Sequence, residues 1–307
     1  ERLSNLIPGG AHTYSRGSDQ FPINAPQILA GGKGAYVFGP EGNRYLDYGM
    51  ALRAVSIGYA EDEIDEAAII QIKNGNNLTR PSLIELEAAE LLVSMIDSVD
   101  MVKFTKNGST SVSAAVKLAR AYTGKELVAR CVEQPFFSYD DWFIGSTPLK
   151  KGIPQDTIEK TKTFCYNDIA SLEELINQFP NQLACVVLEP AATEEPTNDY
   201  LLKVQELCKK NNIVFILDEM ITGFRWHMKG AQHLYGVTPD LCTFGKAMAN
   251  GFSVSCVAGR REIMELGSIE SAGQERVFLL STTHGAEMAG LGAYVATMDF
   301  MHRHQVV

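Results

Sequence analysis

The sequence predicts an α/β fold with a mostly parallel central sheet flanked by helices, and three observations predict it. Residues 213–217 (IVFIL) and 185–188 (CVVL) are unbroken apolar runs rich in β-branched residues. Such runs belong to strands buried on both faces, as in a parallel sheet. A third short run, residues 241–244, ends at Gly245-Lys246. Residues 200–211 separate the first two with apolar positions at helical spacing, which is the crossover that parallel neighbours require.

Composition sets the outer bounds. A chain of 307 residues, 45% hydrophobic and 21% charged, has room for a substantial core in one large domain or two smaller ones. A net charge of −10 argues against a general binder of nucleic acid or anionic membrane. No apolar run approaches the roughly 20 residues of a membrane helix, and no signal peptide is visible. The six cysteines (131, 165, 185, 208, 242 and 256) form no CxxC pair. They read as reduced core residues of a cytoplasmic protein, with no metal site expected.

The elements follow in order. Residues 1–34 are turn-rich, with Gly9-Gly10 breaking a helix end into an irregular loop that carries Arg16. Residues 32–49 alternate short β-prone runs around Gly39-Pro40-Glu41-Gly42, a hairpin signal. Residues 82–96 have an amphipathic pattern with Ser82 and Glu85 placed as a capping box, its leucines and methionine reading as core. Residues 101–123 run from a strand through Asn107-Gly108-Ser109-Thr110 into an alanine-rich helix. Free N–H groups and the dipole at such a helix start favour an anion, although the same residues would serve as a simple cap. Another strand opens residues 128–146 and leads to Phe136-Phe137-Ser138. Residues 151–163 read as a surface loop and 171–179 as a short helix. The 185–188 strand ends at Glu189-Pro190, and residues 254–257 add a strand to the same parallel pattern. The chain stops at HRHQVV within a helical pattern.

The chemistry gathers where two strands end. Asp218 closes one buried run and Lys246 follows another, and ligands of open α/β sheets bind beyond such ends. Gly245, Ala247 and Ala249 leave space for a planar ligand beside the lysine. A buried lysine loses its proton readily and can form a Schiff base, while a carboxylate can keep a pyridinium nitrogen protonated. The segment LDEMITGFR, with the lysine of FGKAMANG 28 positions after Asp218, resembles the class III aminotransferases of pyridoxal 5′-phosphate (PLP) fold type I. The branch it most resembles is that of glutamate-1-semialdehyde aminomutase.

That resemblance implies a set of roles. Lys246 would be the internal aldimine lysine, Asp218 the partner of the pyridine nitrogen, and Met220 an apolar contact on one ring face. Asn107, Gly108 and Ser109 would hold the phosphate, and Phe136 would stack on the ring. Glu189 would join the hydrogen-bond network, and Thr282 would reach a partner subunit's phosphate. Arg16, and more weakly Arg53, would meet the substrate. Two departures stand out: Thr110 where the family usually has an acid, and Phe136-Phe137-Ser138 where much of it has Tyr-His-Gly. Arg225 reads as a structural ion-pair former and His284 as a structural loop histidine.

The resemblance further implies an N-terminal segment of a small domain with the hairpin (residues 1–50) and a large PLP-binding domain (51–307), with the C-terminal small domain missing. It implies a homodimer with shared active sites. The expected function is transfer of an amino group from an amino-acid donor to a ketone or aldehyde acceptor. An intramolecular aminomutase reaction and a non-catalytic relative remain the alternatives.

Overall fold

Two sheets organise the computed structural model, which describes residues 2–270 and 273–307. The small one pairs β1 (Gly31–Lys33), β2 (Tyr36–Phe38) and β3 (Arg44–Leu46), all antiparallel. The expected hairpin is β2–β3. Its turn is closed by the Gly39 N–H donating to the Asn43 carbonyl at 2.9 Å, with Gly42 at φ 83.

The large sheet takes β4 (Met101–Thr105), β5 (Leu127–Cys131), β6 (Thr161–Phe164), β7 (Leu183–Leu188), β8 (Val214–Asp218), β9 (Leu241–Phe244) and β10 (Ser255–Gly259). Their spatial order is β4-β10-β9-β8-β7-β5-β6. Neighbours from β9 to β6 are parallel, and β10 alone runs against both its neighbours. The 254–257 run therefore does not continue the parallel pattern. Only residues 245–254 separate β9 from β10, with one 3-10 turn among them. A parallel return needs a crossover of roughly a dozen residues or more. The chain instead reverses through Asn250 and Gly251, both at positive φ.

Every residue of β7, β8 and β9 is buried, as a sheet covered on both faces demands. Val187, Ile216, Leu241 and Val257 pack on the helix Gly108–Thr123 through Val112, Ala115, Val116 and Ala119. Each fully buried aliphatic side chain of this kind contributes roughly 1.5–3 kcal/mol. On the opposite face, Val186, Phe215 and Leu217 share a core with the helices Ile169–Gln178 and Tyr200–Lys210. Cys242, Phe244 and Cys256 pack with the helices Leu83–Met95 and Met288–His304.

Four further expectations change. Residues 151–163 hold the short helix Gln155–Glu159 and the start of β6. Polar Thr161 and Lys162 hide that strand, whose pairing with β5 supplies what its composition lacks. In Leu83–Met95 the Ser82 hydroxyl accepts the Glu85 N–H at 3.3 Å. Ile84, Ala88 and Leu92 are buried there, but Leu83 and Leu86 are exposed rather than core. The last helix ends at His304, capped by Gln305 in the left-handed conformation, before the chain does. All six cysteines are free, and Cys165 is exposed rather than core.

Candidate active site

The acidic pair at the end of β8 divides by strand alternation. Glu219 is fully buried and saturated: it accepts from the Thr222 hydroxyl (2.7 Å), the N–H groups of Ala231 and Gln232 (2.8 Å each) and the Gln232 amide. It staples the following loop and has no capacity left for a ligand. Among the described residues Asp218 accepts only through Oδ1, from the Met220 N–H at 3.0 Å and the Thr243 hydroxyl at 2.8 Å. Thr243 is its register partner on β9 and lies three residues before Lys246. Burial raises the Asp218 carboxyl, and the Thr243 and Met220 bonds and the Lys246 charge pull it back.

Lys246 follows extended Gly245 and itself takes φ 44, a left-handed conformation that costs roughly 1–2 kcal/mol for an L-residue. Strain of this kind is held by surroundings and clusters at functional positions. Ala247, Met248 and Ala249 are completely buried behind it. Burial lowers the lysine's pKa, Asp218 and Glu189 raise it, and Arg53 and Arg225 lower it further. Two acids and two guanidinium groups thus act on the charge of the amine.

Gly245 has no room for a side chain: a methyl group there would overlap the Met220 sulfur and the Ser255 hydroxyl. Met220 also lies against Gly108, where an added Cβ would come to 3.0 Å. One buried thioether therefore spaces the lysine turn from the helix start. Gly245→Ala is expected to cost roughly 1–3 kcal/mol by overpacking, read as a fall in melting temperature. An unchanged melting temperature would contradict this packing.

At that helix start Asn107 Oδ1 accepts the Thr110 N–H and hydroxyl, both at 2.9 Å. Thr110, found where an acid was usual, thus reinforces the cap. The N–H groups of Gly108 and Ser109, first in the 16-residue helix, have no intrahelical acceptor. Ser109 Oγ accepts the Tyr139 N–H at 3.1 Å, and Ser138 donates to the Ser109 carbonyl at 3.3 Å. Trp142 Nε1 fixes Ser113, itself bonded to Ser138. This relay holds Ser138 and Tyr139; just before them, Phe136 is 55% exposed and meets Phe143 edge to face, while Phe137 is core.

Glu189 is 4% exposed and its Oε2 has no hydrogen-bond partner among the described residues. Gln134 fixes its backbone through both amide atoms, at 2.7 and 3.0 Å. Burial first, and then the Asp218 charge, push the carboxyl up to about 8, against the charges of Lys246 and Arg53. An unfolded glutamate titrates near ~4.3. Between those values the folded protein keeps a proton that the unfolded chain has released. Stability present below roughly pH 4 is therefore lost as pH climbs toward about 8. Glu189→Gln removes that loss. The unfolding free energy of the cofactor-free variant, measured by denaturant titration, should gain on the wild type as pH rises, with a slope approaching ~1.4 kcal/mol per pH unit. Parallel curves would contradict it.

Asn250, unnoticed in the sequence, ties a distant loop to the lysine turn. Its Oδ1 accepts the N–H groups of Ser56 and Ile57 at 3.0 Å, and its Nδ2 donates to the Gly58 carbonyl at 2.9 Å. The signal was there in the Asn-Gly turn, a dipeptide suited to left-handed backbone. Arg53 lies just before this loop, and its charge is felt at Lys246. Arg225 makes no ion pair among the described residues. Its Nε donates to the Ile221 carbonyl at 3.1 Å and its Nη2 to the Arg53 carbonyl.

Two expected residues stand elsewhere within the chain. Arg16 is exposed in the turn Tyr14–Arg16, and its charge is felt at Tyr59 rather than at the lysine. Thr282 lines a surface cleft of about 200 Å³ with Asn77, Arg80, Ser82 and Glu85. His284 is exposed.

A lysine and a carboxylate at adjacent strand ends, with a helix start packed beside them through Met220, are set in the fold of an α/β enzyme. Residues 13–307 match the aminotransferase class-III family model, and the chain belongs to that family. It is 36% identical over 301 residues to a glutamate-1-semialdehyde 2,1-aminomutase of Methanothermobacter thermautotrophicus, covering 93% of this chain and 70% of that protein. Across its whole length it is 34% identical to a 3-aminobutyryl-CoA aminotransferase of Cloacimonas acidaminovorans, of which 73% is covered. Among solved structures, an omega-transaminase from Sphaerobacter thermophilus superposes with a TM-score of 0.89 at 28% identity, covering 98% of this chain and 71% of that one. The PLP internal aldimine form of the Sphingopyxis sp. MTA144 FumI protein gives 0.88 at 25% identity, with 98% and 71% covered.

Proposed function

We propose that the protein is a PLP-dependent transaminase that moves an amino group from an amino-acid donor to a ketone or aldehyde acceptor. The observation that carries this reading is the Thr243 bridge, which sets Asp218 and the Lys246 turn on neighbouring strands at one sheet edge. The residues fit the cofactor. Lys246 would hold it through its amine, and Asp218 Oδ2, which makes no hydrogen bond among the described residues, would meet the ring nitrogen. The N–H groups of Gly108 and Ser109 with the Ser109 hydroxyl would take the phosphate. Met220 and Phe136 offer apolar faces to the ring, and the orphaned Glu189 Oε2 faces the same group of charges.

When bound, the cofactor supplies an electron sink for charge developing at the substrate carbon. The chain does the rest. Buried Lys246, with its pKa lowered, is poised to take and return a proton as general base and acid. Asp218, held by Thr243 and Met220, keeps a negative charge opposite it. Gly245 and the alanines behind the lysine keep its amine in one place.

The 36% identity to a named aminomutase favours a second reading, intramolecular amino transfer. The two separate in one experiment. The loaded enzyme is given an amino donor, then an acceptor, in distinct half-reactions. Turnover that requires a second, carbonyl substrate supports the transaminase; turnover of a single amino aldehyde with no acceptor overturns it.

The proposal extends to a homodimer with shared sites. Exposed Leu83 and Leu86, with the Thr282 cleft beside Ser82 and Glu85, form the face this would cover. Six free cysteines suit a reducing cytoplasm.

A further inference from the structure

We propose that Arg130 is a positioning residue for the cofactor ring: it fixes both ends of the loop that carries Phe136 and, through Phe143, the Phe136 ring itself. This rests on the transaminase reading, in which Phe136 lies against the cofactor. Arg130 sits on β5 and is 5% exposed. It makes no ion pair among the described residues. Its guanidinium spends its donors on neutral acceptors instead. Nη1 donates to the Cys131 and Val132 carbonyls at 3.0 and 3.2 Å, where the chain leaves the strand. Nε donates to the Ser146 hydroxyl and Nη2 to the Ser146 carbonyl, both at 2.9 Å, where the loop closes. One rigid planar fork thus spans both ends of residues 132–146.

The same guanidinium lies over the Phe143 ring, its central carbon 5.2 Å from the ring centroid. Phe143 is buried and meets Phe136, Phe137 and Trp142 edge to face, at centroid distances of 5.8, 5.7 and 5.8 Å. It is the one ring that Phe136 meets among the described residues. The outer side of Phe136 is open, so its orientation depends on what lies behind it. Phe143 is held there by Arg130 over its ring and by the Ser146 hydroxyl, which donates to the Phe143 carbonyl at 2.6 Å. That hydroxyl is the acceptor of Arg130 Nε, so both holds on Phe143 lead back to one guanidinium. A buried charge is a poor device for stability alone, because an apolar side chain of similar volume would fill the space without the desolvation cost. What a fork on fixed acceptors adds is a set distance between the two ends of the loop. The ring carried between them is thereby given one place.

The test is a double-mutant cycle on the full chain: Arg130→Met, Phe136→Ala and the two together, with Arg130→Lys and Ser146→Ala beside them. Each variant is first checked for a cooperative melt without cofactor. Two readouts follow, the dissociation constant for PLP and the visible circular dichroism of the bound cofactor, which reports how its ring is held. Arg130→Met should weaken PLP roughly 2- to 10-fold, the scale of one aromatic contact, and alter the dichroic band. In the Phe136→Ala background the same substitution should change neither, because the ring it places is gone. Arg130→Lys should recover little, since an ammonium restores the charge without the fork. Ser146→Ala removes only the Nε acceptor and should give a smaller change of the same kind. It takes the place of Arg130→Met in the cycle should that variant not fold. Equal losses from Arg130→Met in both backgrounds, full recovery in Arg130→Lys, or a lowered melting temperature with wild-type affinity and dichroism overturns the proposal. Failure of the parent reading would look different: Phe136→Ala alone would bind PLP as the wild type does, or the wild-type protein would take up no cofactor.

Discussion

Lys246→Ala is expected to abolish amino transfer, with a fall on the order of 10⁴ in turnover from the loss of the acid–base group alone. The reasoning is local. The lysine is buried, its pKa is lowered chiefly by desolvation, and it faces Asp218 and Glu189. Two other candidates among the described residues are not placed to substitute: His284 is exposed in its loop, and Lys106 is engaged in an ion pair with Glu287. The fold should survive, because the side chains that brace this turn are Ala247, Met248, Ala249 and Asn250 rather than the lysine. Removing a residue at φ 44 for alanine leaves the backbone strain unchanged. Single-turnover assays with an amino donor and circular dichroism on the same sample check both halves. Residual transfer within tenfold of wild type would contradict the assignment.

Asp218→Asn is expected to cost on the order of 10²–10³ in turnover, the scale of losing one preorganised electrostatic group. Asparagine keeps an Oδ1 that accepts from Thr243 and the Met220 N–H, so the strand end stays as built. What disappears is the charge. Because burial raises the Asp218 carboxyl above its usual range to about 6, the charge weakens the cofactor-free fold as pH rises toward that value. The variant, free of cofactor, should therefore be at least as stable as wild type at neutral pH while it loses activity. An inactive variant with a clearly lower melting temperature would show instead that Asp218 serves the fold.

Much of this site was legible in the sequence because its chemistry falls at strand ends, and buried strands announce themselves as apolar runs. The runs that became β7, β8 and β9 fixed where Glu189, Asp218 and Lys246 would emerge. Strand direction was not legible for β10, since an apolar run reads the same either way and only the ten-residue connection decides it. β6 was hidden because an edge strand need not be apolar. The left-handed turn at Arg53 was invisible for another reason: Met-Ala-Leu-Arg contains nothing that favours positive φ, and the conformation is imposed by Asn250 and Arg225 far along the chain. Arg225 was expected to seek an acid and found carbonyls, a difference that lies wholly in tertiary contact.

The central claim is that one amine, at position 246, carries the cofactor while the acid on the neighbouring strand faces it. Loading the protein with PLP, reducing it with borohydride and mapping the modified peptide by mass spectrometry tests this most directly. The account predicts a single pyridoxyl adduct on Lys246, absent from Lys246→Ala. An adduct on another lysine, or none in a folded and saturated protein, would contradict it.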